Sequence, residues 1–283
     1  MMAGVLTLFS LSMLGMSGGF DYFTPEHILR FADYLFEEGD YLRAADEYLR
    51  YQFLSESISG LDSIQFKIGL CYRMTGYYDR AISYFEKVIN DTQSSLRPQS
   101  HYQIGLCYFL GNELDSSLKY IDEHRPMVPD SGVLRRMDQV SVLNLLWKCE
   151  WSRSADLIKK RRVDDEISVR LLDFAESGCK LPYKSRLLAG LFSTVIPGAG
   201  KIYCGRFLDG IQSLSLVAFT GWQAYDGFHK DGMGSIKGWV FGIMGGIFYL
   251  GNIYGSTVAA DIRNYEEEER LKQKIRVFLN ANF

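Results

Sequence analysis

Three stretches of the N-terminal half repeat one another: ILRFADYLFEEGDYLRAADEYLRY, QFKIGLCYRMTGYYDRAISYFEKV and QIGLCYFLGNELDSSLKYIDEH. Small residues stand at Ala32, Gly69 and Gly105, spaced 37 and 36 apart. Leu35, Tyr72 and Tyr108 follow three residues on, and Gly39, Gly76 and Gly111 end a first helix. Ala44, Ala81 and Ser116 then begin the contact face of a second helix, which Tyr48, Phe85 and Tyr120 continue. A period of this size belongs to a stacked array whose single units cannot bury their own apolar faces. Small residues let two antiparallel helices approach, aromatics fill the space between pairs, and glycine takes the left-handed conformation that stops a helix.

The pattern resembles tetratricopeptide repeats over about Phe23 to His124. A fourth, degenerate copy runs from Val133 to Arg162, with Ala155 at the small position and Trp147 nearby; Pro126 and Pro129 separate it from the third. The resemblance implies an all-α solenoid that binds a peptide along the face of its first helices. That face carries Leu29, Phe36, Phe66, Leu70, Tyr102, Leu106 and Phe109. The Lys and Asn with which chaperone-tail binders of this family clamp a carboxylate are absent at Leu29 and Asp33, which disfavours that ligand class. So apolar a groove suits a hydrophobic segment of a protein partner, or the chain's own next helix. Cys71 and Cys107 occupy equivalent positions in neighbouring repeats, too far apart for a disulfide, and read as buried packing residues.

After Lys184 the hydropathy changes. Leu187 to Gly200 is uncharged for 14 residues, Gly210 to Tyr225 for 16 and Gly238 to Ala260 for 23. A helix that crosses a bilayer needs about 20 largely apolar residues. The third run meets that length, and the second does once Phe207 and Phe228 are included, leaving Asp209 and Asp226 at the two interfaces. The first run is short and broken by Pro197, as in a re-entrant or interfacial helix. Gly238, Gly242 and Gly246 recur at every fourth position, the spacing that lets membrane helices pack closely. Trp222, Tyr225, Trp239, Tyr249 and Tyr254 are candidate interface anchors. The architecture expected is a helical solenoid followed by a transmembrane helical hairpin.

Between the first two runs lies PGAGKIYCGR. A phosphate-binding loop of the G-x-x-x-x-G-K-[ST] type would need a glycine at Val195 and a hydroxyl at Ile202. Both are missing, so a nucleotide is excluded as ligand. The stretch resembles instead the pattern PGxGQxYxGRxxxG of a widespread group of small bacterial two-helix membrane domains of undefined activity. Here it reads Pro197, Gly198, Gly200, Tyr203, Gly205, Arg206 and Gly210, with Lys201 in place of the Gln. The resemblance covers about Lys184 to Ala260 and implies a membrane hairpin with Tyr203 and Arg206 at headgroup level.

At the other end of the chain, Met1 to Gly19 contains no charged side chain and closes in small residues, the form of a signal peptide cleaved before Phe20; an uncleaved anchor or a disordered tail is the alternative. The resulting division is 1–19 signal, 20–178 repeats, 179–260 membrane domain and 261–283 a charged amphipathic helix. In that last helix Leu271, Ile275, Phe278 and Leu279 share a face, which docks on the repeats or lies along headgroups.

The net charge is -3 and no basic patch is interleaved with aromatics, so nucleic acid is excluded as a partner. Five cysteines without a C-x-x-C pair and four histidines without ligand spacing give no metal site, no cofactor and no catalytic constellation. The function expected is a non-catalytic, membrane-tethered adaptor at a bacterial inner membrane. The alternative is a subunit of an oligomeric channel or transport component, a homo-oligomer assembled through the glycine stripe. Lys184, Arg186, Lys201 and Arg206 before the hairpin, and Arg263, Arg270 and Lys272 after it, favour flanks in the cytoplasm. A cleaved signal places the repeats outside, on the periplasmic side, which is the expectation here. Both hold only if the Leu187 segment crosses as a third span.

Overall fold

The computed structural model describes residues 24–55, 60–161 and 165–282, and among these every regular element is a helix. The signal-like segment lies outside the described residues. The chain divides into two compact units, Met1–Val133 and Leu134–Phe283. That division falls earlier than the change of composition near residue 178, so the fourth helix pair groups with the C-terminal segments.

The first unit contains α1 (Pro25–Glu37), α2 (Tyr41–Leu54), α3 (Leu61–Met74), α4 (Tyr78–Asn90), α5 (Arg97–Leu110) and α6 (Leu114–His124), each packed on the next. Thr24 starts α1: its hydroxyl accepts from the His27 N–H at 3.4 Å, and Pro25 takes the first helical position, where no N–H is missed. The core runs through Ala32, Tyr48, Ile68, Cys71, Phe85, Ile104 and Cys107. The close approaches are specific. A Cβ at Gly69 would stand 2.7 Å from the Phe85 ring, and one at Gly105 the same distance from Ile121. Each such buried side chain contributes about 1.5–3 kcal/mol.

The turns reveal a register that differs from the expected one. After α1, Gly39 has φ +82°, the Asp40 N–H donates to the Leu35 carbonyl at 2.9 Å, and the Gly39 N–H to that of Phe36 at 3.2 Å. Gly76, with φ +81°, repeats both bonds at 2.9 and 3.1 Å. In the third copy the left-handed residue is Asn112, φ +63°, with bonds of 2.8 and 3.0 Å. In the second unit Cys149, φ +59°, gives 2.9 and 3.1 Å. These paired bonds are a Schellman termination, used once in each of the four helix pairs and again at Gly205 after residue 203. The expected stop at Gly111 is therefore corrected to Asn112, which shifts the second helix of that copy by one residue. Ser117 and Ile121, both fully buried, replace Ser116 and Tyr120, and the Ser117 hydroxyl donates to the Gly105 carbonyl at 2.8 Å. In the fourth copy the small position is likewise Ser154, not Ala155, with Ile158 four residues on. Glycine was matched to glycine, but Asn tolerates the left-handed region well enough to take its place.

The second unit holds α7 (Ser131–Trp147), α8 (Trp151–Arg161), α9 (Glu166–Cys179), α10 (Arg186–Val195), α11 (Ala199–Tyr203), α12 (Phe207–Asp231) and α13 (Ile236–Asn282). Asp165 caps α9, accepting from the Ser168 N–H at 3.0 Å, and Trp151 of α8 covers Gly178, where any side chain would overlap the indole. The expected break near 260/261 is absent: α13 is one helix of 47 residues, since neither Gly nor Pro occurs after Gly255 to end it. Its last third docks. Leu271 and Ile275 are buried, the Phe278 ring meets Phe174 of α9 edge-on at 5.7 Å, and Arg276 lies over the Trp147 ring. The Trp151 indole N–H donates to the Tyr183 hydroxyl at 2.9 Å, which donates to Glu268 at 3.0 Å.

Candidate functional site

The expected groove residues divide by burial. Leu29, Phe36, Phe66 and Leu70 are half-buried against the core of the first unit, whereas Tyr102, Leu106 and Phe109 are buried. Phe36 meets Tyr41 edge-on and Phe66 meets Phe85 the same way, each at 5.4 Å. The open part of the face is thus its N-terminal half. A polar feature that apolar periodicity passes over sits there. Asp33 accepts from the Tyr48 hydroxyl at 2.5 Å and from Lys67 at 2.6 Å, tying α1, α2 and α3 together. Burial and the Asp33 carboxylate raise the Tyr48 phenol above its ordinary value. On α5 and α6, His101 is buried, with its Nδ1 2.9 Å from the Tyr120 hydroxyl and its ring 4.9 Å from His124.

The PGAG motif brings backbone segments of the second unit into close approach. Ser185 caps α10, which runs antiparallel to α13: Lys184 exchanges backbone bonds with the Asn264 amide at 2.7 and 3.0 Å, and Arg186 pairs with Asp261 at 3.2 Å. Further along, the Ser193 and Ser256 hydroxyls lie 2.6 Å apart, and the Tyr249 hydroxyl donates to the Thr194 carbonyl at 2.6 Å. There the chain turns back. Pro197 breaks the helix and Gly198, φ +89°, reverses the backbone; its N–H donates to the Asn252 side chain at 3.1 Å. The return helix α11 runs back along α13, with Tyr203 and Cys204 against Ala259 and Ala260. Gly198 and Gly200 have no room for a Cβ, which would overlap the carbonyl oxygens of Gly210 and Ala189 respectively. Gly210 meets Ile202 and the Gly198 carbonyl. Gly205 faces open space but has φ +85°. Each glycine of the motif thus answers either a backbone crossing or a left-handed turn.

The polar groups of this turn are tied to one another. The Gly200 N–H donates to Ser193 at 2.9 Å and the Ser256 hydroxyl to the Asn252 carbonyl at 2.8 Å. The Tyr203 hydroxyl accepts from the Ser185 N–H at 3.3 Å while its ring lies under Lys184, and Arg206 pairs with Asp209 at 2.6 Å. Lys201 of the motif in turn donates to the Ser213 hydroxyl of α12 at 2.7 Å.

Beyond the motif, α12 packs antiparallel on α13. The Phe228 ring meets Gly238, and Ala224 lies 3.9 Å from a Cβ at Gly242. The seam then differs from the expected stripe. Thr220 faces Gly245, at 3.1 Å from a Cβ there, while Gly246 and Gly251 have nothing within 4 Å. Helical seams advance by three and four residues alternately, so the strict fourth-residue repeat rotates away from its partner. Asp226 lies at the loop end of α12, paired with Lys230 at 2.9 Å and Lys237 at 2.7 Å.

Among the described residues no group of three or more His, Cys, Asp or Glu side chains could hold a metal. Compared with family models and with curated proteins, the chain matches none.

Proposed function

We propose that this chain is a membrane-tethered adaptor: tetratricopeptide-like helix pairs that receive a protein partner, held at a bilayer by α10 to α13. One observation carries the membrane half. The helix α13 is long and apolar enough to cross a bilayer, and only 11% of its apolar window is buried. A core helix of a soluble protein with that composition would be covered by its neighbours. Instead Ile243, Ile247, Leu250 and Tyr254 of α13, Phe219 and Trp222 of α12, and Leu187, Leu191 and Val195 of α10 are all exposed, forming an apolar surface on three helices. Such a surface is out of place in water and required in lipid. The α10–α11 turn enters to the level of Asn252 and returns, a re-entrant segment whose freed backbone groups are met by Asn252 and Ser193. The solenoid half rests on the four equivalent terminations at Gly39, Gly76, Asn112 and Cys149, at an even spacing of 36 or 37 residues, slightly longer than the roughly 34 residues of a standard tetratricopeptide repeat. The reading assigns no catalytic step, nucleotide or cofactor, and puts the chain in the bacterial inner membrane.

The test joins both halves. A photo-crosslinking residue at Leu70, on the half-buried first-helix face, is compared with one at exposed Ser83 in the membrane-integrated full chain. A defined protein adduct from Leu70 alone supports the adaptor; no adduct, or the same adducts from both positions, contradicts it. The second reading, an oligomeric channel subunit, is favoured by Gly246 and Gly251, whose open faces could take a helix of another copy. Light scattering of the detergent-solubilised chain separates them, since a pore requires several copies per particle.

A further inference from the structure

A cation without a counter-charge lies in the cleft between α12 and α13. Lys201 of α11 is half-buried, and its ammonium donates to the Ser213 hydroxyl of α12 at 2.7 Å. Its side chain passes along α13 at Gly255, where a Cβ would stand 3.5 Å from Cε and 3.8 Å from Nζ. The neighbouring basic residues are otherwise engaged. Arg186 pairs with Asp261, Arg206 with Asp209 and Arg263 with Glu267, while Lys184 lies 4.6 Å above the Tyr203 ring. Among the described residues Lys201 meets no carboxylate. Gly255 precedes the next charged residue of α13, Asp261, by about 9 Å of helix, so the ammonium belongs to the apolar layer rather than to the water.

An ammonium in that layer with one neutral partner is costly and is retained where an anion reaches it. Two of its N–H donors remain after Ser213, whose own proton goes to the Asp209 carbonyl at 2.8 Å, and glycine at 255 leaves room for the Lys201 side chain along α13. The bilayer supplies one anion at its boundary, the phosphodiester of a phospholipid, whose acyl chains would follow the exposed apolar surfaces of α12 and α13. We propose that Lys201, held in place by Ser213, binds the phosphate of a membrane phospholipid beside Gly255, between α12 and α13. The site rests on the membrane reading above.

The experiment is native mass spectrometry of the full chain released from bilayers containing phosphatidylglycerol. The wild-type chain is expected to retain one phosphatidylglycerol. Lys201→Gln should weaken retention about fivefold, the effect of one basic residue at a membrane surface, whereas Lys201→Arg should keep it. Gly255→Leu, which leaves the charge but crowds the Lys201 side chain out of its place, should lose the lipid as well. Equal retention by wild type, Lys201→Gln and Gly255→Leu overturns the site. Displacement of the lipid by millimolar inorganic phosphate, with the phosphate kept in its place, overturns a lipid as the ligand. Alkaline carbonate extraction of the same samples distinguishes the two failures. If the chains sediment with membranes but retain lipid equally, the site alone is wrong; if they stay in the supernatant, the membrane reading fails and the site with it.

Discussion

At the scale of single residues, two glycines of the PGAG motif should respond oppositely to substitution. Gly200 has ordinary helical backbone but no space, because a Cβ would overlap the Ala189 carbonyl. Gly205 has space but a left-handed backbone. Gly200→Ala is therefore expected to cost about 1–3 kcal/mol through overpacking, whereas Gly205→Asn, which tolerates φ > 0, should stay within about 1 kcal/mol of wild type. Thermal unfolding in detergent measures both, and equal losses would contradict the close approach of Gly200 to the Ala189 carbonyl. His101 offers a second test at this scale. Burial, then the neighbouring His124 and the Arg97 guanidinium, push its imidazole down to about 4. The unfolded chain takes up that proton near pH 6.5 and the folded chain does not, so stability is full above that value and falls as pH drops toward 4. Between pH 7 and 5 the loss should be about 2 kcal/mol. Urea unfolding at the two values should show it for the wild-type chain and not for His101→Gln; an equal loss in both would assign the pH dependence to other groups.

At the scale of elements, the seam between α12 and α13 is the test. Gly245→Leu should push α12 away at Thr220 and cost about 1–3 kcal/mol, while Gly246→Leu, facing open space, should change stability by about 0.5 kcal/mol or less. Heat resistance of the solubilised chain decides between them; a larger loss at Gly246 would put a partner helix on that face. Of the expected stripe, Gly238 and Gly242 face α12 within the chain, whereas Gly246 faces open space and Gly245 continues the seam. Much else at this scale was legible. The helix pairs, the buried Cys71 and Cys107, the turn at Pro197 and the shared face of Leu271, Ile275 and Phe278 all follow from period and composition. What was hidden depended on conformation. Asn112 and Cys149 hold left-handed positions that glycine usually takes, and no composition signal distinguishes them. The Asp33–Tyr48–Lys67 contact joins three helices through the hydroxyl of a packing residue, Tyr48, and two charged residues that look like solvated surface when read singly. The continuity of α13 was obscured by its change from apolar to charged, although nothing after Gly255 can break it.

At the scale of the whole molecule, the path of the chain decides where its parts lie. Because α10 and α11 enter and return beside α13, Lys184, Arg206 and Asp261 fall at one end of the helices, and the loop at Gly232–Gly234 at the other. The last third of α13 packs on α9, so the chain before α10 and the chain after residue 261 share a side. A third crossing, which would reconcile a cleaved signal with basic flanks in the cytoplasm, is not part of this path. The direct measurement is a set of topology reporters fused at Gly132, within the loop at Gly234 and after Phe283 in the membrane-integrated chain. Gly132 and the C-terminus are expected to report the same side, and Gly234 the opposite one. Opposite reports from Gly132 and the C-terminus would mean that the Leu187 segment crosses the bilayer, and the same report from all three would mean that α12 and α13 do not span it; either contradicts the re-entrant hairpin.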